Sequence, residues 1–275
     1  MNLLGGRASK VLFHPLVFPE FANDFKFHSN FLSQLENGGL PSVTLAKNPK
    51  RRLSDYVGLY LKEEIQNESL VRSLDNFSRF LDILSLANSE QVNFNEIGND
   101  AQVAPSTVRD YYQILVDTLI GDLVPGFTKT KKRKAMSTAK FYFFDTGVAH
   151  CLTRRSSLTP GSIEFGKAVE HYVYLQLKAY LSYKFKPHEI NYWRSTSNLE
   201  VDFVVHHGIE EIFAFEVKAG VNPNQSKGLL ALAEEFPIKR KIIICLADQP
   251  RLTESGIEIL PMDFFLKELW KGKIF

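Results

Sequence analysis

The sequence predicts an α+β chain of several domains: a helical region, two helices with a two-stranded wing, and a three-layer α/β domain at the C-terminus. Three observations lead there. Apolar residues recur at helical spacing between Leu53 and Leu84. Between Phe94 and Asp145, two short helical patterns meet at a proline turn, and strand signals follow on either side of a basic run. Beyond Gly161, helix and strand patterns alternate, and two adjacent strands carry acids at period-two positions.

Bulk properties set the limits. A chain of 275 residues with 44% hydrophobic content can bury several cores, and a formal charge of +2 leaves partners to be read from local clusters. Cys151 and Cys245 lie far apart and outside any Cys-x-x-Cys array, which argues against structural zinc or a disulfide framework and suits a reducing compartment. No apolar run approaches a membrane span, and Gly5, Gly6 and Arg7 interrupt any signal-peptide pattern, so a soluble cytoplasmic protein is expected.

Element by element, Val11, Leu12 and Phe13 read as a buried strand, although nothing precedes them to pair with. Residues 37–50, rich in Gly, Pro, Asn and Lys, read as a loop. Leu53, Tyr56, Val57, Tyr60, Leu61 and Ile65 form one helical stripe; Leu74, Phe77, Phe80, Leu81 and Leu84 form the next. Phe94 to Ile97 opens a short helix and Val103-Ala104-Pro105 turns the chain. A second helix begins at Ser106, with Thr107 and Asp110 spaced as a capping box. With Leu123-Val124 and Lys140 to Phe144 as strands, this is a winged helix-turn-helix pattern. Ser106, Thr107 and Arg109 would face a DNA duplex, and Lys129, Lys131, Lys132, Arg133, Lys134 and Lys140 would track phosphates along the wing. A helix over Gly166–Tyr183, strands at 190–194, 199–205 and 211–218, a helix at 227–236, strands at 241–247 and 256–260, and a closing helix at 262–270 complete the chain.

The chemistry concentrates on two of those strands. Glu200 and Asp202 share one face, with Leu199, Val201, Phe203 and Val205 opposite; Glu216 and Lys218 share another, opposite Phe213, Phe215 and Val217. Carboxylate oxygens suit magnesium or manganese, which bind through one or two carboxylates plus a substrate phosphate. Asp202 and Glu216 are the natural metal ligands. Lys218 can orient a polarised water, Glu170 can reach in from the preceding helix, and Glu200 can join the set or take a proton. Without the Glu-x-Asp strand, the same Glu216 and Lys218 would read as a surface salt bridge.

Glu200-Val-Asp202 … Glu216-Val-Lys218 after a glutamate-bearing helix resembles the PD-(D/E)xK core of restriction-endonuclease-like nucleases and Holliday-junction resolvases. More widely, Leu4-Gly-Gly6-Arg7, Phe13-His-Pro15-Leu16, Glu20-Phe21, Lys140 to Gly147 and Tyr192-Trp193-Arg194 resemble a prokaryotic AAA-type ATPase family. Its members carry a nucleotide-binding domain, helices, a winged helix and a nuclease-like domain. The resemblance implies an ATPase remnant over 1–30, a helical region over 31–90, a winged helix-turn-helix over 91–150 and a restriction-endonuclease-like domain over 155–275. It assigns Glu170, Asp202, Glu216 and Lys218 to the nuclease-type site. No Gly-x-x-x-x-Gly-Lys-Ser/Thr is present, so no ATP site is expected in this chain. The leading expectation is a DNA-binding, magnesium-dependent nuclease. The alternatives are a non-catalytic DNA- or protein-binding regulatory module, and a subunit that forms homo-oligomers or joins a full-length ATPase homologue.

Overall fold

The computed structural model describes residues 11–21, 27–60, 71, 73–128, 139–224 and 226–275. It is a mixed α+β architecture, helical toward the N-terminus and built on a mixed sheet toward the C-terminus. The helical part comprises α1 (Phe27–Asn37), α2 (Pro41–Thr44), α3 (Pro49–Asp55), α4 (Leu74–Leu86), α5 (Phe94–Ala101) and α6 (Pro105–Asp117). Strands β1 (Gly121–Val124) and β2 (Lys140–Phe143) pair antiparallel, Gly121 opposite Phe143, before α7 (Thr146–Leu152).

The stripe expected on α4 is buried as its spacing requires. Phe77, Phe80, Leu81 and Leu84 pack with Tyr111, Tyr112 and Leu115 of α6 and with Phe141 and Phe143 of β2. On the opposite side of β2, Tyr142 joins the core of the large sheet, stacking on Tyr174 with ring centroids 4.4 Å apart. This two-faced strand ties the helical part to the sheet.

The sheet runs β3 (Glu189–Arg194), β4 (Glu200–His207), β5 (Glu211–Lys218), β6 (Ile238–Cys245), β8 (Ile257–Pro261), β7 (Arg251–Leu252) in space. The β3–β4, β4–β5 and β7–β8 pairings are antiparallel; β5–β6 and β6–β8 are parallel. Helices α8 (Ile163–Tyr183) and α10 (Met262–Trp270) cover one face, burying Val169, Val173, Phe265 and Leu269 against Phe203, Phe213 and Phe215. Helix α9 (Lys227–Glu235) covers the other, burying Leu229 and Leu232 against Val201, Val204 and Ile243. Among the described residues no helix is long and apolar enough to cross a membrane. Both cysteines are free thiols.

Four expectations need correction. Val11 to Phe13 form no strand, and Phe13 is 92% exposed, because no strand among the described residues offers them a ladder. The 37–50 segment holds α2 and the start of α3, each opened by a proline whose fixed φ suits the first helical position. For the same reason α6 starts at Pro105 with Ala104 as its cap, so Thr107 lies inside the helix and forms no capping box. Finally, β4 is not oily on one face only. Between the Asn191–Val204 and Trp193–Val201 pairs it spends one residue more than β3, a bulge. Val201 therefore faces α9 while Phe203 faces α8.

Asp145 fastens α7 to the turn after α1. Its buried carboxylate accepts from Val148 N at 2.9 Å, capping α7, and from Gly39 N at 2.7 Å. Gly38, at φ +72°, lies so close that a Cβ there would meet Asp145 Oδ1 at 2.0 Å, so only glycine fits. Burial pushes the Asp145 carboxyl up to about 6, against the pull of the Gly39, Val148 and Gly147 amides. A raised carboxyl favours the fold while protonated, so this group's contribution falls as pH rises from the ordinary carboxylate range through about 6. Asp145→Ala is expected to cost about 1–3 kcal/mol and to remove that pH slope, read from urea midpoints between pH 4 and 7.

Candidate active site

Acidic and basic side chains from four elements converge where β4 and β5 part. The β4–β5 ladder runs from the His207–Glu211 pair to the Phe203–Phe215 pair. One step further, Asp202 Oδ2 accepts the Val217 N–H at 2.7 Å, taking a backbone donor that a ladder partner would otherwise satisfy. Glu216, 7% exposed, pairs with Lys218 at 2.6 Å and accepts from Ser226 Oγ at 3.2 Å. Ser226 also caps α9 through Leu229 N. Two residues on, Gly228 packs so closely on β4 that a Cβ would meet the Glu200 carbonyl oxygen at 2.0 Å.

Glu170 comes from α8, one residue beyond the sheet-facing Val169. Its Oε1 accepts from Tyr142 Oη at 2.5 Å and from Lys140 Nζ at 3.1 Å. Lys140 also meets Glu200 Oε1 at 2.6 Å, and its ammonium lies 5.6 Å from the centre of the Tyr192 ring. Arg194 reaches Glu200 at 3.9 Å and Gln91 at 2.9 Å.

The electrostatics show one connected neighbourhood. Burial pushes the Asp202 carboxyl well above the usual range, and the charges of Glu170 and Glu216 add to it; Lys140 and the Val217 amide oppose. Burial also raises Glu216, which Lys218 and Ser226 counter. For Lys140, burial alone would lower the ammonium, but Glu170, Asp202 and Glu200 outweigh it and hold it above the ordinary lysine value. Lys218 is raised in the same way by Glu216, Asp202 and Glu170 against burial. Glu170, Asp202, Glu216 and Lys218, singled out from the sequence, thus share one electrostatic neighbourhood, in which Glu216 and Lys218 are in direct contact.

The residues expected to meet DNA fare differently. Ser106 and Arg109 are exposed and line a cleft of about 950 Å³ that runs from the start of α6 to Lys140, Glu170 and Glu200. Arg109 lies over the Phe94 ring, 5.2 Å from its centre. Thr107, half-buried, is not part of that lining. Lys129, Lys131, Lys132, Arg133 and Lys134 lie outside the described residues, as does the Leu4 to Arg7 segment. Lys140 does not belong with that basic run: its side chain is 5% exposed and turned to the carboxylates. Lys140 and Tyr142 are the site residues that reading along the chain misses. Their period-two spacing, opposite Phe141 and Phe143, was the available signal.

The oxygen donors of Asp202, Glu216 and Glu170 are those a hard divalent cation takes. Each is engaged within the chain, however, and among the described residues no three His, Cys, Asp or Glu side chains are set closely enough to hold an ion. The donors fit such an ion in kind; Lys140 and Lys218 supply the positive charge among them.

Two family models resemble the chain: a domain of unknown function (DUF8612) over residues 29–159 and a domain of unknown function (DUF4143) over residues 165–265. Similar curated relatives are Uncharacterized protein Mb2031c of Mycobacterium bovis and Uncharacterized protein Rv2008c of Mycobacterium tuberculosis. Each is 26% identical over 247 residues, a match covering 82% of this chain and 54% of the relative. The chain thus spans about half the length of the relatives it matches. A solved half-complex of Thermococcus gammatolerans McrB AAA+ hexamers with bound McrC is 10% identical, covering 85% of this chain and 69% of that one. With a TM-score of 0.29, that likeness carries no argument.

Proposed function

We propose that this chain binds DNA and hydrolyses phosphodiester bonds with magnesium or manganese. In this reading α5, α6 and the β1–β2 hairpin act as a winged helix-turn-helix, and the six-stranded sheet with α8, α9 and α10 as a restriction-endonuclease-like domain. The observation that carries it is the shared electrostatic neighbourhood of Glu170, Asp202, Glu216 and Lys218, from one helix and two strands, with Glu170 also lining the cleft that holds Ser106 and Arg109. Asp202 and Glu216 would hold the ion, which when bound lowers the pKa of a water and polarises a phosphate oxygen. Lys218, beside Glu216, orients the attacking water and offsets charge growing on the phosphate. Glu170 supports the cluster, and Arg109 and Arg194 hold the backbone along the cleft. Water oxygen bonds to phosphorus and releases a proton to solvent, the bond to the departing nucleotide oxygen breaks, and that oxygen takes a proton from solvent.

Plasmid and branched-DNA cleavage with magnesium tests this, comparing wild type with Asp202→Ala and Lys218→Ala. Cleavage by the wild type and loss of about 100-fold or more in both variants is the expected result. Equal activity in all three would reject the assigned roles.

The engagement of every carboxylate within the chain favours a second reading, a non-catalytic binding module in which the same cluster is a structural ion network. It predicts no cleavage with any metal and DNA binding that survives Asp202→Ala. The resemblance to an AAA-type ATPase family suggests a third reading, a subunit that joins a full-length homologue carrying a nucleotide-binding part, and the curated relatives are longer than this chain. ATP-dependent co-elution of the two would support it, and elution volumes indifferent to nucleotide would remove it.

A further inference from the structure

Far from the acidic cluster, alternate backbone amides hold the segment before α1 to the body of the protein. His14 N donates to Tyr183 Oη at 3.0 Å, Leu16 N to the Gly39 carbonyl at 2.7 Å, and Phe18 N to Gln176 Oε1 at 3.1 Å. Between this segment, α1 and α8 lies a cavity with about 20 Å³ of room for the centre of a water-sized sphere, lined among others by His14, Gln34, Asp145 and Tyr172. Three of the lining side chains end in atoms shut off from solvent: His14 Nε2, Gln34 Oε1 and Tyr172 Oη have no hydrogen-bond partner among the described residues. The other polar side chains around the cavity are engaged. Asp145 accepts from the Val148 and Gly39 amides, Thr146 donates to the Gln34 carbonyl, and Gln176 also accepts from the Trp270 indole.

A buried polar atom without a partner forfeits the hydration it had in the unfolded chain, and native interiors rarely leave three such atoms at one point. Size and chemistry select what would join them. One water centre needs roughly 10–15 Å³, so the space suits a single water. Burial and the Lys178 charge hold His14 down to about 4, against Asp122, so its ring is neutral at pH 7. A hydroxyl donor, an amide oxygen and a neutral imidazole nitrogen ask for a molecule that accepts once and donates twice, as water does. An ammonium ion of the same size only donates and leaves the Tyr172 proton without an acceptor. We propose that one water molecule bound by His14, Gln34 and Tyr172 is a built-in part of the fold, joining the segment before α1 to α1 and α8.

The sign of a stability change tests this. Tyr172→Phe keeps the ring against Phe31, 5.3 Å between centres, and deletes only the hydroxyl. With the water bound, the folding equilibrium constant in urea unfolding at pH 7 should fall about tenfold. At a dry site the same change removes an unpaired hydroxyl, so a constant unchanged or raised would overturn the proposal. Gln34→Met should also lower the constant, and the double variant should lose less than the product of the two factors, since either change alone loosens the shared water. Full multiplication of the two would mean separate partners and would also overturn it. Should the variants fail to fold, a crystal structure of the wild-type chain decides. Density for one atom within hydrogen-bond distance of all three side chains is expected; a site without it, or side chains turned to bond one another, would end the proposal.

Discussion

Lys140→Met is expected to destabilise the fold at pH 7 by about 3–5 kcal/mol, among the larger effects a single substitution in this chain can have. Methionine fills nearly the same volume, so packing changes little; the cost is electrostatic. Without the ammonium, Glu170 and Glu200 lose a partner at 3.1 Å and 2.6 Å, and Asp202 loses the nearby charge that opposes its repulsion by Glu170 and Glu216. The pH dependence follows with a definite sign. Lys140 is held above the ordinary lysine value, so its stabilisation is complete throughout the neutral range and lost only when pH rises through that raised value. In the variant Asp202, already raised by burial, loses the Lys140 charge that holds it down and favours its protonated form further. The deficit should therefore shrink as pH falls into the carboxylate range. Denaturant unfolding at pH 4.5, 7 and 9 checks this, and a deficit that is the same at all three would mean packing rather than charge.

Much of this arrangement is legible in the sequence where one periodicity governs an element. The Leu74–Leu84 stripe gives α4, and the alternation of Phe213, Phe215 and Val217 with Glu216 and Lys218 gives β5 and its two faces. Both elements are covered by neighbours whose positions their own patterns already demand. Legibility ends where tertiary contacts override the period. The bulge in β4 turns Val201 away from the face of Phe203, and it is invisible without the partner strand β3. Lys140 shows another kind of failure. In one dimension it is the last cation of a basic run; in the fold it is the first residue of a strand whose even positions face α8. Lys140 to Phe144 reads as a strand in the sequence; following its two faces, with Phe141 and Phe143 on one, would have placed Lys140 beside Tyr142 and away from solvent. Ser226 was readable too, as the cap of α9, but its bond to Glu216 depends on how that helix lies on the sheet.

Asp202→Asn separates a site kept for chemistry from one kept for stability, because the two demands pull in opposite directions. Asn retains an oxygen to accept the Val217 N–H, so the backbone contact survives. Its amide nitrogen donates where the aspartate only repelled, toward the carboxylates of Glu170 and Glu216. The wild-type carboxyl is raised well above its ordinary value, chiefly by burial and then by those two neighbours, so ionising it works against the fold. That penalty is absent while Asp202 is protonated and grows as pH rises from the ordinary carboxylate range through the raised value. The variant should match the wild type near pH 4 and exceed its stability by about 1–2 kcal/mol at pH 8. Over the same substitution, cleavage should fall by about 100-fold or more, since an amide oxygen carries no charge to offer a hard cation. Thermal unfolding at the two pH values and DNA cleavage at pH 8 together give the readout. A variant both less stable and equally active would make Asp202 a strut for the Val217 amide, with the acidic cluster serving only to join the hairpin to the sheet.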